Sequence, residues 1–109
     1  MVPCRAALLL AFLFTPLSAE GREPKAMFQD SCAVCHGLDG SGRAPNGTRL
    51  GGRNLADARW LARQENEALI LSILRGRGAM PGFRRQLSEA EVRRMVQEVI
   101  RQLPSRKRP

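Results

Sequence analysis

The sequence predicts an all-α domain, and three observations carry that prediction. No run alternates apolar and polar residues convincingly enough to form a strand. Three segments repeat apolar residues at helical spacing: Lys25 to Val34, Glu65 to Leu74, and the stretch from Ser88 to Leu103. The chain has 109 residues, enough for at most one domain, and contains no internal repeat.

The first element stands apart from that domain. Residues 1–19 read MVPCRAALLLAFLFTPLSA, with Arg5 ahead of an apolar run from Ala6 to Phe14, then Pro16 and small residues. This is the layout of a secretory signal peptide. The run falls short of the roughly 20 apolar residues that span a bilayer. Cleavage is expected after Ala19, with Gly21 as the other site, and an uncleaved N-terminal anchor is the competing reading. Cys4 precedes the apolar run and leaves with the leader. Residues 20–109 then form the domain, with a basic tail from about Pro104.

In the domain, Pro24 suits a first helical position, and the helix over Lys25–Val34 carries Met27, Phe28 and Cys32 on its apolar face. GLDGSGRAPNGTRLGG, from Gly37 to Gly52, holds six glycines and a proline and reads as loop. Asp57 to Arg63 predicts a helical turn around Trp60. Glu65–Leu74 is a helix with Leu69, Ile70, Ile73 and Leu74 on one side, stopped by Gly76. A second loop, RGRGAMPGFRRQ, follows. Ser88 and Glu91 form a capping box, and Val92, Met95, Val96, Val99, Ile100 and Leu103 mark the core face of the last helix. Pro104 is expected to end it. Only Phe28, Trp60 and Phe83 supply aromatic bulk after the leader, so a domain this small needs something else to complete its core.

Charge is lopsided: 18 Lys+Arg stand against 10 Asp+Glu, a net charge of +8. A basic surface attracts nucleic acid, anionic membrane or acidic protein. Export makes nucleic acid the poorest of the three. A solvated arginine-rich face set by genome composition is the other reading.

Two of the three cysteines and the single histidine fall in SCAVCHG, residues 31–37. Cys32, Cys35 and His36 form C-x-x-C-H, the attachment signature of haem c. Each thiol adds across one haem vinyl, and two intervening residues on a helical turn match the separation of the vinyls. His36 then reaches the face of the same porphyrin as an iron ligand. Three alternatives compete. A thiol redox pair needs a thioredoxin-like βαβ setting. A disulfide closing a two-residue loop stabilises little. Zinc needs further Cys or His ligands, and the sequence after the leader has none.

CAVCHGLDGSG, followed by GRGAMPGF and LSEAEVRRMVQEVIRQL, resembles a class I c-type cytochrome, a small monohaem bacterial cytochrome c. The likeness covers Phe28 to Leu103. It implies a cytochrome c fold of about four helices around one covalently attached haem, with the terminal helices crossing at one edge. It also implies electron transfer by iron cycling between Fe(II) and Fe(III).

The second axial ligand is expected at Met80. Met27 shares the helix of the attachment site, and Met95 lies on the core stripe of the last helix, where methionine usually fills space. Met80 sits in a loop between Gly78 and Pro81 and matches the family's axial methionine. Ligation by His36 and Met80 fills both axial sites and raises the potential relative to two histidines. The resemblance further assigns the Pro45 carbonyl as acceptor of the His36 ring N–H, and Arg53, Asn54 and Trp60 as donors to the haem propionates, with Trp60 as plain core the alternative. Phe28 matches the aromatic between the terminal helices. Pro24, where relatives have a small residue, and the missing aromatic in the last helix depart from the pattern.

The expected function is that of a soluble periplasmic electron carrier, not an enzyme. Its partners would be acidic redox proteins: a dehydrogenase, a quinol-oxidising complex or a terminal oxidase. It is expected to run as a monomer or in transient complexes. A dedicated subunit of one redox enzyme is the alternative, and a haem-based sensor or peroxidase a third reading. Arg75, Arg77, Arg84 and Arg85 bracket Met80 as a basic docking rim.

Overall fold

Residues 21–106, together with Val2, Pro3, Ala11 and Leu13, are described by the computed structural model. The expected leader, with Cys4, otherwise lies outside the described residues, as does the chain after Arg106.

Pro24 opens helix α1 (Pro24–Ser31), where its missing N–H would have no partner in any case. Cys32, at φ −111°, bends the rod, and α2 (Ala33–His36) continues it. The bonding bridges the bend, because Cys32 N–H donates to Phe28 O at 2.9 Å and His36 N–H to Cys32 O at 2.9 Å. The helix expected to stop at Val34 therefore runs on through His36, which closes its last turn before Gly37.

Helix α3 (Ala58–Ala62) starts on Asp57, whose carboxylate accepts from Arg59 N–H at 3.0 Å and Trp60 N–H at 3.1 Å. Helix α4 (Asn66–Arg75) matches its sequence reading to within a residue and buries Leu69, Ile70, Ile73 and Leu74. Helix α5 (Glu89–Glu98) carries the complete capping box: Glu91 N–H donates to Ser88 Oγ at 3.1 Å, and Ser88 N–H to Glu91 Oε1 at 3.0 Å. Glu91 also accepts from the Arg22 backbone N–H. These bonds hold its carboxyl below the usual range, the Ser88 backbone bond contributing most.

The last helix departs from expectation. It stops at Glu98, tightens into a 3₁₀ turn over Ile100–Gln102, and restarts as α6 (Leu103–Arg106). Pro104 explains the restart. It has no N–H for the Ile100 carbonyl, whereas the first turn of a new helix needs none. The tail expected from Pro104 thus begins as helix.

Helix α5 packs against both α1 and α4. Phe28, Met27, Ile70, Val92, Met95 and Val96 meet in the core, each almost wholly hidden from solvent, and no polar side chain is buried among the described residues. No strand forms among them. Counting the bent α1–α2 rod and the α5–α6 run as single units, four helical units surround this core.

Arg101 ties α3 to the C-terminal run. Its guanidinium donates to the Leu61 carbonyl at 2.7 Å, to Asn66 Oδ1 at 2.7 Å and to the Gln64 carbonyl. The Leu61 carbonyl, which also accepts from Gln64 N–H at 3.0 Å, and the Gln64 carbonyl lie at and just beyond the end of α3. Arg101→Leu is expected to cost about 2 kcal/mol, since bonds from a charged donor are the stronger class. Urea unfolding checks it, and Arg101→Lys should recover only part, because ammonium lacks the planar fork.

Candidate haem site

Cys32 and Cys35 are free thiols on successive turns of the bent rod, the first buried and the second exposed. Burial pushes the Cys32 thiol up to about 11. A thiol so reluctant to ionise is a poor nucleophile for disulfide exchange, which weakens the redox-pair reading. Zinc has no support either: no group of three or more His, Cys, Asp or Glu gathers among the described residues.

His36 is fixed by the loop that follows it. Gly42 N–H donates to the His36 carbonyl at 2.6 Å, and Gly52 N–H to the Cys35 carbonyl at 2.8 Å. This second return needs glycine. A Cβ at residue 52 would collide with the Cys35 carbonyl and stand 2.9 Å from His36 Nδ1. The fold-back sets the Arg53 carbonyl 2.8 Å from His36 Nδ1. A carbonyl only accepts, so Nδ1 carries the proton and Nε2 keeps its lone pair for a metal.

That acceptor corrects the expectation for Pro45. Pro45 lies exposed in the turn closed by Ala44 N–H to Thr48 O at 2.9 Å, inside the Arg43–Arg49 bridge. It sits out at the turn, while the Gly52 return delivers the next residue to the ring. No polar side chain in the sequence advertises a backbone acceptor. The glycine pair at 51–52 was the available signal.

The Arg53 side chain lies over the Trp60 ring, with Cζ 4.5 Å from the centroid. Trp60 is half-buried and packs against the core. Asn54 Oδ1 accepts from Ala56 N–H at 2.9 Å, a local turn that leads into α3. The structure thus gathers Cys32, Cys35, His36 and Arg53, with Trp60 attached through Arg53. A cleft of about 360 Å³ beside this loop is lined by residues that include Arg43, Arg49, Gly52 and Asn54.

Met80 belongs to the other loop and packs half-buried against the core. Its N–H and carbonyl exchange bonds with Arg77, both at 3.0 Å, around Gly78 at φ +57°. The chain then returns to the end of α4. Phe83 N–H donates to Ile73 O at 2.9 Å and Arg84 N–H to Leu74 O at 3.2 Å, satisfying carbonyls that α4 leaves open. A Cβ on Gly82 would stand 2.7 Å from the Arg75 carbonyl carbon, so this return also needs glycine. Met95 and Met27 are enclosed in the core.

The residues present fit haem c by the chemistry of the donor set. Two free thiols three residues apart adjoin an imidazole with Nε2 available, and a thioether sits in a constrained loop.

Fold and donor set together define a c-type cytochrome domain. Residues 19–97 match the family described as cytochrome c oxidase, cbb3-type, subunit III, and the chain belongs to that family. It is 38% identical over 78 residues to the cbb3-type cytochrome c oxidase subunit CcoP of Cereibacter sphaeroides, across 71% of this chain and 24% of that protein. It therefore spans about a quarter of the length of the oxidase subunit. Over 88 residues it is 31% identical to cytochrome c6 of Synechocystis sp., across 81% of this chain and 70% of the relative. Among solved structures, the KustC0563 c-type cytochrome superimposes with a TM-score of 0.64 at 32% identity, covering 75% of this chain and 98% of its own. The cofactor is covalently bound haem c.

Proposed function

We propose that this chain is a soluble electron carrier of the periplasm that serves as redox partner to larger complexes and performs no catalysis of its own. The observation that carries the proposal is the C-x-x-C-H turn together with the Met80 loop, whose imidazole and thioether would hold the iron of a haem and supply one-electron exchange rather than a substrate site. Cys32 and Cys35 attach the haem, while His36 and Met80 ligate its iron. Bound haem c supplies reversible one-electron exchange. The chain's own contribution is to hold His36 in one tautomer, to constrain Met80 and to exclude water with the α1–α4–α5 core.

Export rests on residues 1–19, whose single arginine, short apolar run and small-residue end suit a cleaved leader. No helix among the described residues is long and apolar enough to cross a membrane. A dedicated oxidase subunit is the second reading, favoured by the likeness to CcoP.

The partner is an acidic redox protein such as a terminal oxidase, a quinol-oxidising complex or a dehydrogenase. Arg22, Arg93 and Arg94 are paired with Glu91, with Glu67 and Glu89, and with Glu98. Arg75, Arg77, Arg84 and Arg85 are exposed and form no ion pair among the described residues. Four of the chain's unpaired cations thus flank the Met80 loop, and such a rim steers an acidic partner.

Gel filtration of native periplasm tests the carrier reading, which expects the haem protein to run alone. Co-elution with an oxidase overturns it in favour of the subunit. Stopped-flow transfer to an acidic acceptor should slow as salt rises, because exposed charges are screened over about 8–10 Å near physiological ionic strength. Arg84→Glu with Arg85→Glu should reduce the rate roughly tenfold at low salt and leave the spectrum unchanged. A rate indifferent to both would make these arginines a solvated face.

A further inference from the structure

We propose that the Arg53–Trp60 stack is a positioning device for the haem-ligating histidine. By holding residue 53 against α3, it fixes the carbonyl that accepts the His36 Nδ1 proton and so sets how strongly Nε2 donates to iron. This rests on the reading of His36 as the axial ligand.

The argument begins with the backbone. Gly52 N–H is anchored to the Cys35 carbonyl at 2.8 Å, and Leu55 N–H to the Gly40 carbonyl at 2.6 Å. Between these two anchors, the Arg53–Asn54 peptide has one link to the histidine, its carbonyl at 2.8 Å from Nδ1. A peptide held only at its flanks can still rotate and carry its carbonyl off the ring. Two contacts resist that rotation. Asn54 binds the Ala56 N–H and leads straight into the turn before α3. Arg53 lays its guanidinium on Trp60, whose own N–H is pinned by the Asp57 cap at 3.1 Å. Arg101 in turn fastens the far end of α3 to the C-terminal run. The imidazole tautomer is thereby tied to a braced helix on the other side of the loop.

The chemical consequence has a definite sign. A firm Nδ1–H···O bond leaves the ring more electron-rich and favours Fe(III). A loosened bond makes the ring a weaker donor, so the potential rises. A simpler role for the same residues predicts the opposite. If Arg53 or Trp60 acted only by compensating the negative haem propionates, its loss would disfavour the more negative Fe(II) state, and the potential would fall.

The test uses the haem-loaded protein and its variants Trp60→Leu and Arg53→Gln. Trp60→Leu removes the stack and leaves every protein charge in place. Arg53 is exposed, so Arg53→Gln keeps the fold even if Trp60→Leu loosens α3. Proton NMR of the reduced protein should show the His36 Nδ1 proton exchanging about two- to fivefold faster in both variants, the factor that one exposed cation–π contact supports. The midpoint potential of Trp60→Leu should rise. Unchanged Nδ1 exchange in both variants, or a lower potential in Trp60→Leu, overturns the proposal. Failure of the ligand reading itself is separable: the His36 ring protons of the wild type would then lack the upfield ring-current shifts of a haem ligand, whatever the variants do.

Discussion

Cys35→Ala is expected to remove most of the covalent haem and with it most of the folded protein, even though the Cys35 side chain is exposed and lies outside the buried core. Its loss costs no apolar burial, so any collapse must come through the cofactor. Cys32→Ala should do the same and add a packing loss, since Cys32 sits in the core at 7% exposure. The magnitude follows from tethering. A short covalent link supplies its partner at an effective concentration on the order of millimolar. Free haem at about micromolar leaves the site roughly a thousandfold worse supplied. The domain depends on that supply, since small domains gain little from core burial alone. Haem staining after acid-denaturing electrophoresis should require both cysteines. Extraction of the haem from the wild type by acidic solvent would overturn covalent attachment.

The contrast between the two cysteines was not legible from their spacing, whereas their partnership was. C-x-x-C-H compresses attachment and ligation into one helical turn, and short-range chemistry leaves a short-range mark. The same holds for Ser88 and Glu91, where the two side chains that close the cap lie three residues apart, and for the apolar stripes of α4 and α5. What escaped the sequence was carried by backbone groups and long separations. The acceptor for His36 is a main-chain carbonyl 17 residues away, delivered by Gly52, and no side-chain pattern distinguishes it from the carbonyl of Pro45. Arg101 gave no signal because two of its partners, the Leu61 and Gln64 carbonyls, are again backbone, and the third, Asn66 Oδ1, is 35 residues away. The break at Val99 depends on where Pro104 falls relative to a core stripe that itself continues to Leu103. An uninterrupted apolar period therefore hid a change in helix type.

Met80→Ala is expected to open the iron to carbon monoxide and cyanide, and Met80→His to keep it closed while lowering its potential. Met80 is the methionine able to answer this test. Met27 and Met95 are locked in the core at 1% and 0% exposure, each on a helix whose register would have to break to release the side chain. Met80 instead rides a four-residue turn pinned by two bonds to Arg77, and Gly82 holds the following residues against the last carbonyls of α4. The turn fixes its backbone without engaging its sulfur. Thioether is a soft ligand that favours Fe(II), whereas imidazole favours Fe(III) more. Met80→His should therefore lower the midpoint by on the order of 0.2 V, within the span of about 0.8 V that axial ligands command. The oxidised wild type should show the weak far-red band of a sulfur–iron bond, and both Met80 variants should lose it. Met95→Ala supplies the control. It should cost roughly 2–5 kcal/mol of stability, as deletion of a buried Met side chain does, and yet retain the far-red band. If Met95→Ala lost the band while Met80→Ala kept it, the sulfur ligand would lie in the core and not in the Gly78–Pro81 loop.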